Sequence, residues 1–187
     1  MNKKITFTTT LFATLLFFSF SYAEELSSEK YTSTYTSIDE KDCMTLDSDD
    51  LGSIQECEPF GNIGVKVIEG DTRQGITLTH QNREYILNFQ SIVKVGFSTL
   101  GSKLEWRYEK GKPKTVKGMI VRLDVNEDPE NLDKITSYLI VSKITADNIC
   151  VVGKILPQLN QEELARAMLD AKEELPCLKL KPNIKKH

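Results

Sequence analysis

"KLEWRYEKGKPKTVKGMIVRLDV", residues 103–125, decides the architecture. Leu104, Trp106 and Tyr108 alternate with Lys103, Glu105, Arg107 and Glu109. Further on, Met119, Val121, Leu123 and Val125 alternate with Ile120, Arg122 and Asp124. Successive side chains of a strand point to opposite faces, so this period of two marks half-buried strands. Between the two runs stand Gly111 and Pro113, which punctuate a strand. A turn centred on Lys112-Pro113 puts Trp106 opposite Met119 and Leu104 opposite Val121. All four then share one face, as a one-sided antiparallel ribbon requires.

The pattern extends outward on both sides. Upstream, "KYTSTYTSID" (30–39) alternates Tyr, Ser and Thr and reads as extended chain. "IGVKVIEG" (63–70) and "RQGITLTH" (73–80) are two short strands split at Gly70-Asp71. "HQNR" is a turn, "EYILNF" (84–89) the next strand, and "STLGS" (98–102) a break. Downstream, "NEDPENLD" is a polar loop. "KITSYLIVSKIT" is apolar on both faces near Leu139 to Val141 and reads as a central strand, and "ADN" turns it into "ICVVGKIL". A helix is predicted over 161–174. Asn160 is placed to cap it and Glu163 stands three residues later. Leu164, Met168, Ala171 and Leu175 fall at helical spacing with Ala165 and Leu169 beside them, and Pro176 ends the helix. The fold class is α+β, mainly β: an antiparallel sheet of about seven or eight strands with one C-terminal helix packed on a face, stapled by two disulfides.

The chain opens with Lys3 and Lys4, a mostly apolar run over 5–20, and Ser21-Tyr22-Ala23. This is the pattern of a secretory signal peptide over 1–23, cleaved after Ala23. A spanning helix needs about 20 apolar residues, and this Thr-rich run is shorter. No later stretch is long and apolar enough to span a bilayer. The mature chain, 24–187, is expected to form one globular domain with mobile ends at 24–30 and 179–187, located in the periplasm or outside the cell. The leader holds two of the 24 Lys and Arg and none of the 27 acids, so 22 bases face 27 acids and the mature net charge is −5. Residues 24–58 carry eleven acids against Lys30 and Lys41, a net −9, while 20 bases and 16 acids leave the rest at +4. That balance argues against a nucleic-acid partner.

Cys43, Cys57, Cys150 and Cys177 all lie in the mature chain, and an even count in an exported protein implies disulfides. Of the possible connectivities, Cys43–Cys57 and Cys150–Cys177 are expected. The strand from Cys150 travels about 20 Å and the helix returns over about 20 Å, which brings Cys177 beside Cys150. A zinc site would need closely spaced cysteine pairs, and there are none.

"DSDDLGSIQECE" (47–58) has the spacing of a calcium loop, with Asp47 and Asp49 at the first and third places, Gly52 at the sixth and Glu58 at the twelfth. Leu51 occupies a ligand place, however, and Pro59, Gly61 and Gly64 block the helix that should follow. Asp47, Asp49 and Glu58 are thus only weak calcium candidates. The stretch is expected to be an acidic loop closed by a short disulfide, with Asp47, Asp49, Asp50, Glu56 and Glu58 facing a basic protein partner. A second set is Glu105, Arg107 and Arg122, joined by Arg73 if its strand is adjacent, as a polar patch for an anionic ligand or a partner. The preferred reading of that set is structural: Trp106 is core and the charges pair with cross-strand neighbours.

Catalysis has little to work with. The histidines are His80 and the terminal His187, no nucleophile elbow is present, and the cysteines are spoken for. A carboxylate pair drawn from Glu69, Asp71 and Glu105 would be the route to an envelope hydrolase. No cofactor is expected. The leader, the acidic Cys stretch, "EGDTRQGITL", "KLEWRY" and "MIVRL" resemble small uncharacterised secreted or periplasmic proteins of Gram-negative bacteria. The resemblance spans most of the mature chain, implies an envelope location and supplies no activity. The functional expectation is an exported, non-catalytic binding or envelope-associated protein, such as an inhibitor of a basic hydrolase of the lysozyme kind.

Overall fold

A computed structural model describes residues 30–93, 96–128, 130–173 and 175–178. The expected signal peptide at 1–23, the end at 24–29 and the basic tail at 179–187 lie outside the described residues. In chain order the elements are β1 (Tyr31–Ser37), β2 (Met44–Asp49), β3 (Gly52–Phe60), β4 (Ile63–Gly70), β5 (Arg73–His80), β6 (Arg83–Leu87), β7 (Phe97–Glu109), β8 (Val116–Asn126), β9 (Ile135–Ile144), β10 (Ile149–Ile155) and α1 (Gln161–Asp170), with 3₁₀ turns at Glu40–Asp42 and Phe89–Ser91.

The deciding hairpin has the expected register, Leu104 opposite Val121 and Trp106 opposite Met119. Around it the strands run β10-β9-β8-β7-β5-β4-β3-β2, with β1 also on β7 and β6 also on β5. Every pairing is antiparallel except β5 with β7, which meet in a single parallel bridge between Arg73 and Ser98. That bridge is a seam. It divides the sheet into β1-β7-β8-β9-β10 and β2-β3-β4-β5-β6. The inner faces of both halves share one core, in which Leu104, Trp106, Met119, Val121 and Leu123 meet Cys57, Ile63, Val65, Ile76 and Leu78. Phe60 of β3 stacks on Trp106 of β7 with ring centroids 5.5 Å apart.

Several boundaries differ from the sequence reading. "STLGS" does not break a strand but lies inside β7. There β7 advances from Leu100 to Leu104 while β8 retreats only from Leu123 to Val121. The bulge at Gly101 and Ser102 lets one strand cross the seam, pairing with β5 at Ser98 and with β1 from Lys103 to Glu109. The turn after β4 falls on Asp71-Thr72 rather than Gly70-Asp71. Both residues are left-handed (φ 51° and 57°), as are Gln81 and Asn82 in the next turn (φ 51° and 60°). Two left-handed residues match the twist of the strands that a tight hairpin joins. "EYILNF" ends as a strand at Leu87, and Phe89 instead buries itself from a 3₁₀ turn.

The helix is also shorter than predicted. It ends at Asp170, where Ala171 turns extended (ψ 143°), and Asn160 makes no side-chain cap. Its buried stripe is Gln161, Ala165 and Leu169, while Leu164 is exposed. This stripe covers the outer face of β8, β9 and β10 against Ile120, Leu139, Val141, Val152 and Ile155. Close approach is possible because two sheet positions lack a Cβ: one at Gly118 would lie 2.4 Å from Leu169, and one at Gly153 would lie 2.5 Å from Met168. β9 is therefore buried on both faces, as its apolar run implied.

Both expected disulfides are present, Cys43–Cys57 and Cys150–Cys177. Beyond the second, Leu178 N–H donates to the Val151 carbonyl at 2.8 Å and holds the chain against β10. Each crosslink stabilises the fold by about 3 kcal/mol, largely through the unfolded chain. Two disulfides fit an oxidising compartment. Among the described residues, no helix is long and apolar enough to cross a membrane.

Candidate functional site

Residues 47–58 are not a loop. They form the tip of the β2–β3 hairpin, with Asp49 opposite Gly52 and Asp50-Leu51 as the turn. The chain is extended on both sides, so the helix–loop–helix geometry of a calcium hand is absent here. The sequence forms a hairpin because Asp49 supplies its own turn: its Oδ1 accepts N–H bonds from Leu51 at 2.8 Å and Gly52 at 3.0 Å. At the other end Met44 faces Glu56, which leaves Cys43 and Cys57 opposite one another for their disulfide.

β2 is the last strand of the sheet order, and all of its residues are exposed. Met44 is 59% exposed, Leu46 47% and Leu51 80%. A bulge at Leu46 turns Asp47 to face Ile54, on the outer side of the sheet. Asp47, Asp50, Glu56 and Glu58 make no ion pair among the described residues. The described residues hold no group of three or more His, Cys, Asp or Glu arranged around a metal position. Ile54 also begins an apolar groove of about 490 Å³ on the outer face of β4, β5 and β6, lined by Ile68, Ile86 and Leu87 with Arg73 and Lys66 at its margins. Chemically, the region offers an open strand edge, carboxylates that form no ion pair among the described residues, and exposed apolar side chains.

The second predicted set sits on the opposite half of the molecule, and the helix completes it. Glu162, Arg166 and Asp170 recur every fourth residue, so they form one stripe of alternating charge on α1. Each meets its opposite on the sheet. Arg122 Nη2 donates to Glu162 at 2.7 Å. Arg166 Nε donates to Glu105 at 2.6 Å and its Nη2 to the other carboxylate oxygen at 3.1 Å. Arg107 forks onto Asp170 at 2.8 and 2.5 Å. Strand β1 adds Ser33 Oγ, which donates to Glu105 at 2.5 Å, and Tyr35 Oη at 3.2 Å. Arg107 and Asp170 are more than nine-tenths buried.

Burial alone would hinder ionisation of Glu105, but the bonds from Arg166 and Ser33 outweigh it and hold the carboxyl below its ordinary value. Arg166 is raised in turn, chiefly by its bond to Glu105. The charges were expected to pair across strands. They pair with the helix instead, because outward side chains of neighbouring strands lie beneath α1. Glu162, Arg166 and Asp170 were missed, although their four-residue spacing of alternating sign was legible in "QEELARAMLD".

Arg73 does not join this set. It pairs with Asp71 and donates from Nε to the Gly96 carbonyl at 3.0 Å. Of the carboxylates considered for catalysis, Glu105 is engaged by Arg166, Asp71 by Arg73, and Glu69 accepts a bond from Gln74 at 2.9 Å. His80 is buried at the end of β5. No family model, curated protein or solved structure matches the chain.

Proposed function

We propose that this is an exported, non-catalytic binding protein that captures a basic protein partner along its acidic edge hairpin. The observation that carries the reading is β2, an edge strand exposed over its whole length, beside which Asp47, Asp50, Glu56 and Glu58 form no ion pair among the described residues. An open edge pairs with an extended segment through main-chain hydrogen bonds. The carboxylates select the sign of the partner and speed its approach. Met44, Leu46 and Leu51 supply apolar contact, and the adjoining groove at Ile54 extends it. The Cys43–Cys57 disulfide holds the edge ready, which lowers the ordering cost of association. Export rests on the leader pattern together with the two disulfides. A basic hydrolase of the lysozyme kind is the concrete target, inhibited by occlusion.

The test is capture of partners from periplasmic or host fluid on the oxidised mature protein, beside a variant carrying Asp47→Asn, Asp49→Asn and Asp50→Asn. The expected result is a basic protein retained by the first and lost by the second. Equal retention by both overturns the reading.

A further inference from the structure

Where the two halves of the sheet part beside the start of β2, a cavity of about 240 Å³ opens between them. Its wall is polar where a sheet interior should be apolar. Val65 and Val67 face inward on β4, and Ile76 faces inward opposite Val67 on β5. One step further along the same face stands a rung of Ser53, Glu69 and Gln74 on three adjacent strands. The rung is oriented. Leu100 N–H donates to Gln74 Oε1 at 2.8 Å, which fixes the amide so that its Nε2 donates to Glu69 Oε2 at 2.9 Å. Glu69 Oε1 has no such bond among the described residues.

Gln55 is the second observation. Its residue is only 6% exposed, it lines the cavity, and its side-chain amide makes no hydrogen bond among the described residues. Its amide atoms are not sealed from solvent, so the side chain offers the open cavity a donor and an acceptor that no protein group takes up. The sign of the site follows from its mouth. Glu40 and Glu69 have no ion pair among the described residues, and Asp39 has Lys41 at 3.3 Å, with the lysine side chain 75% exposed. The volume is below the roughly 300–1,000 Å³ of pockets that enclose drug-sized ligands, so the occupant is a small group.

We infer that this cavity binds an amino or guanidino cation, held by the Glu69 carboxylate with the Gln55 amide oxygen as a further acceptor. The cation is carried either by a free small amine or by a lysine or arginine side chain of a polypeptide. Ser53 and Gln55 pair with Ser48 and Thr45 of β2, so the mouth runs beside the edge strand. The inference stands on the cavity alone and does not need the hairpin reading.

The experiment is calorimetric titration of the oxidised mature protein with agmatine, with a blocked Gly-Arg-Gly peptide, and with glycerol as a neutral control. Saturable binding of a cation and none of glycerol is expected. Glu69→Gln and Gln55→Leu should each weaken it about tenfold or more, the worth of one charge-assisted hydrogen bond. Glu40→Gln, at an exposed position, should weaken it less and serves if the buried variants do not fold. The hairpin variant Asp47→Asn with Asp50→Asn should bind agmatine unchanged even where it has lost its protein partner. Tighter binding of the peptide than of agmatine assigns the site to a basic side chain, and the reverse assigns it to a free amine. No heat with either cation, or binding that survives both Glu69→Gln and Gln55→Leu, overturns the inference.

Discussion

The charges of the β2–β3 hairpin and those under α1 are the same kinds of side chain with opposite fates. Beneath the helix, Arg107, Glu105 and Arg122 each meet an opposite charge presented by a rigid element at hydrogen-bond distance. On the hairpin, Asp47, Asp50, Glu56 and Glu58 meet none among the described residues. The difference is one of geometry. Outward side chains on β7 and β8 are roofed by a helix whose four-residue charge stripe alternates in step with them, whereas among the described residues β2 has a strand neighbour on only one side and no helix over it. Charges of the first kind position the helix. Charges of the second kind are available to something outside the molecule.

The sharpest way to break the comparison is to remove one member of the buried pair. Asp170→Ala leaves the Arg107 guanidinium buried without its carboxylate and should cost about 3–5 kcal/mol in urea unfolding. Replacing both partners, Arg107→Met with Asp170→Leu, removes the unpaired charge and should restore most of that loss, since buried pairs are often matched by apolar packing. A loss below about 1 kcal/mol for Asp170→Ala would place this pair with ordinary surface charges.

A smaller effect tests the paired region by pH. The folded pKa of Glu105 lies below its ordinary value of 4.5 because Arg166 and Ser33 favour the charged form against the pull of burial. A carboxyl depressed on folding contributes stability that is fully present above its unfolded pKa and disappears as pH falls through the folded one. Stability should therefore fall as pH drops below about 4.5, and Glu105→Gln, less stable at neutral pH, should show a flatter profile through that acid range. Unfolding midpoints in urea at neutral and acid pH measure this, and parallel profiles for wild type and Glu105→Gln would remove Glu105 from the paired class.

How much of this was legible depends on whether the information is local. The β7–β8 register could be read because alternation in two neighbouring runs fixes it once the turn is placed, and β9 showed itself central through an apolar run on both faces. Cys150–Cys177 followed from element lengths, and Cys43–Cys57 from the short loop it closes. The bulge at Gly101 and Ser102 could not be read, because it answers to a seam between two sheet halves that the sequence does not announce. In sequence the hairpin reads as a loop because acids and Gly resemble loop composition, although Asp49 builds the turn with its own side chain. For Glu105 and Arg107, the partners lie about sixty residues away on the helix, so only the alternating stripe hinted at them.

The smallest expected effect on stability is on the hairpin, and there the comparison is most exposed. Asp47→Asn and Asp50→Asn should each change unfolding free energy by no more than about 0.5 kcal/mol, because neither side chain has an ion-pair partner to lose among the described residues. Asp49 needs separate treatment. Its Oδ1 closes the turn, so Asp49→Ala should cost about 1 kcal/mol while Asp49→Asn keeps an acceptor oxygen and most of the turn. Thermal unfolding of the single variants gives these numbers directly. If neutralising Asp47 or Asp50 destabilises the protein by more than about 1 kcal/mol, the hairpin charges have an internal partner outside the described residues, and the edge is not free. If stability holds, the carboxylates are retained at a site where the fold does not need them, which is the condition under which an acidic edge strand can serve a basic partner.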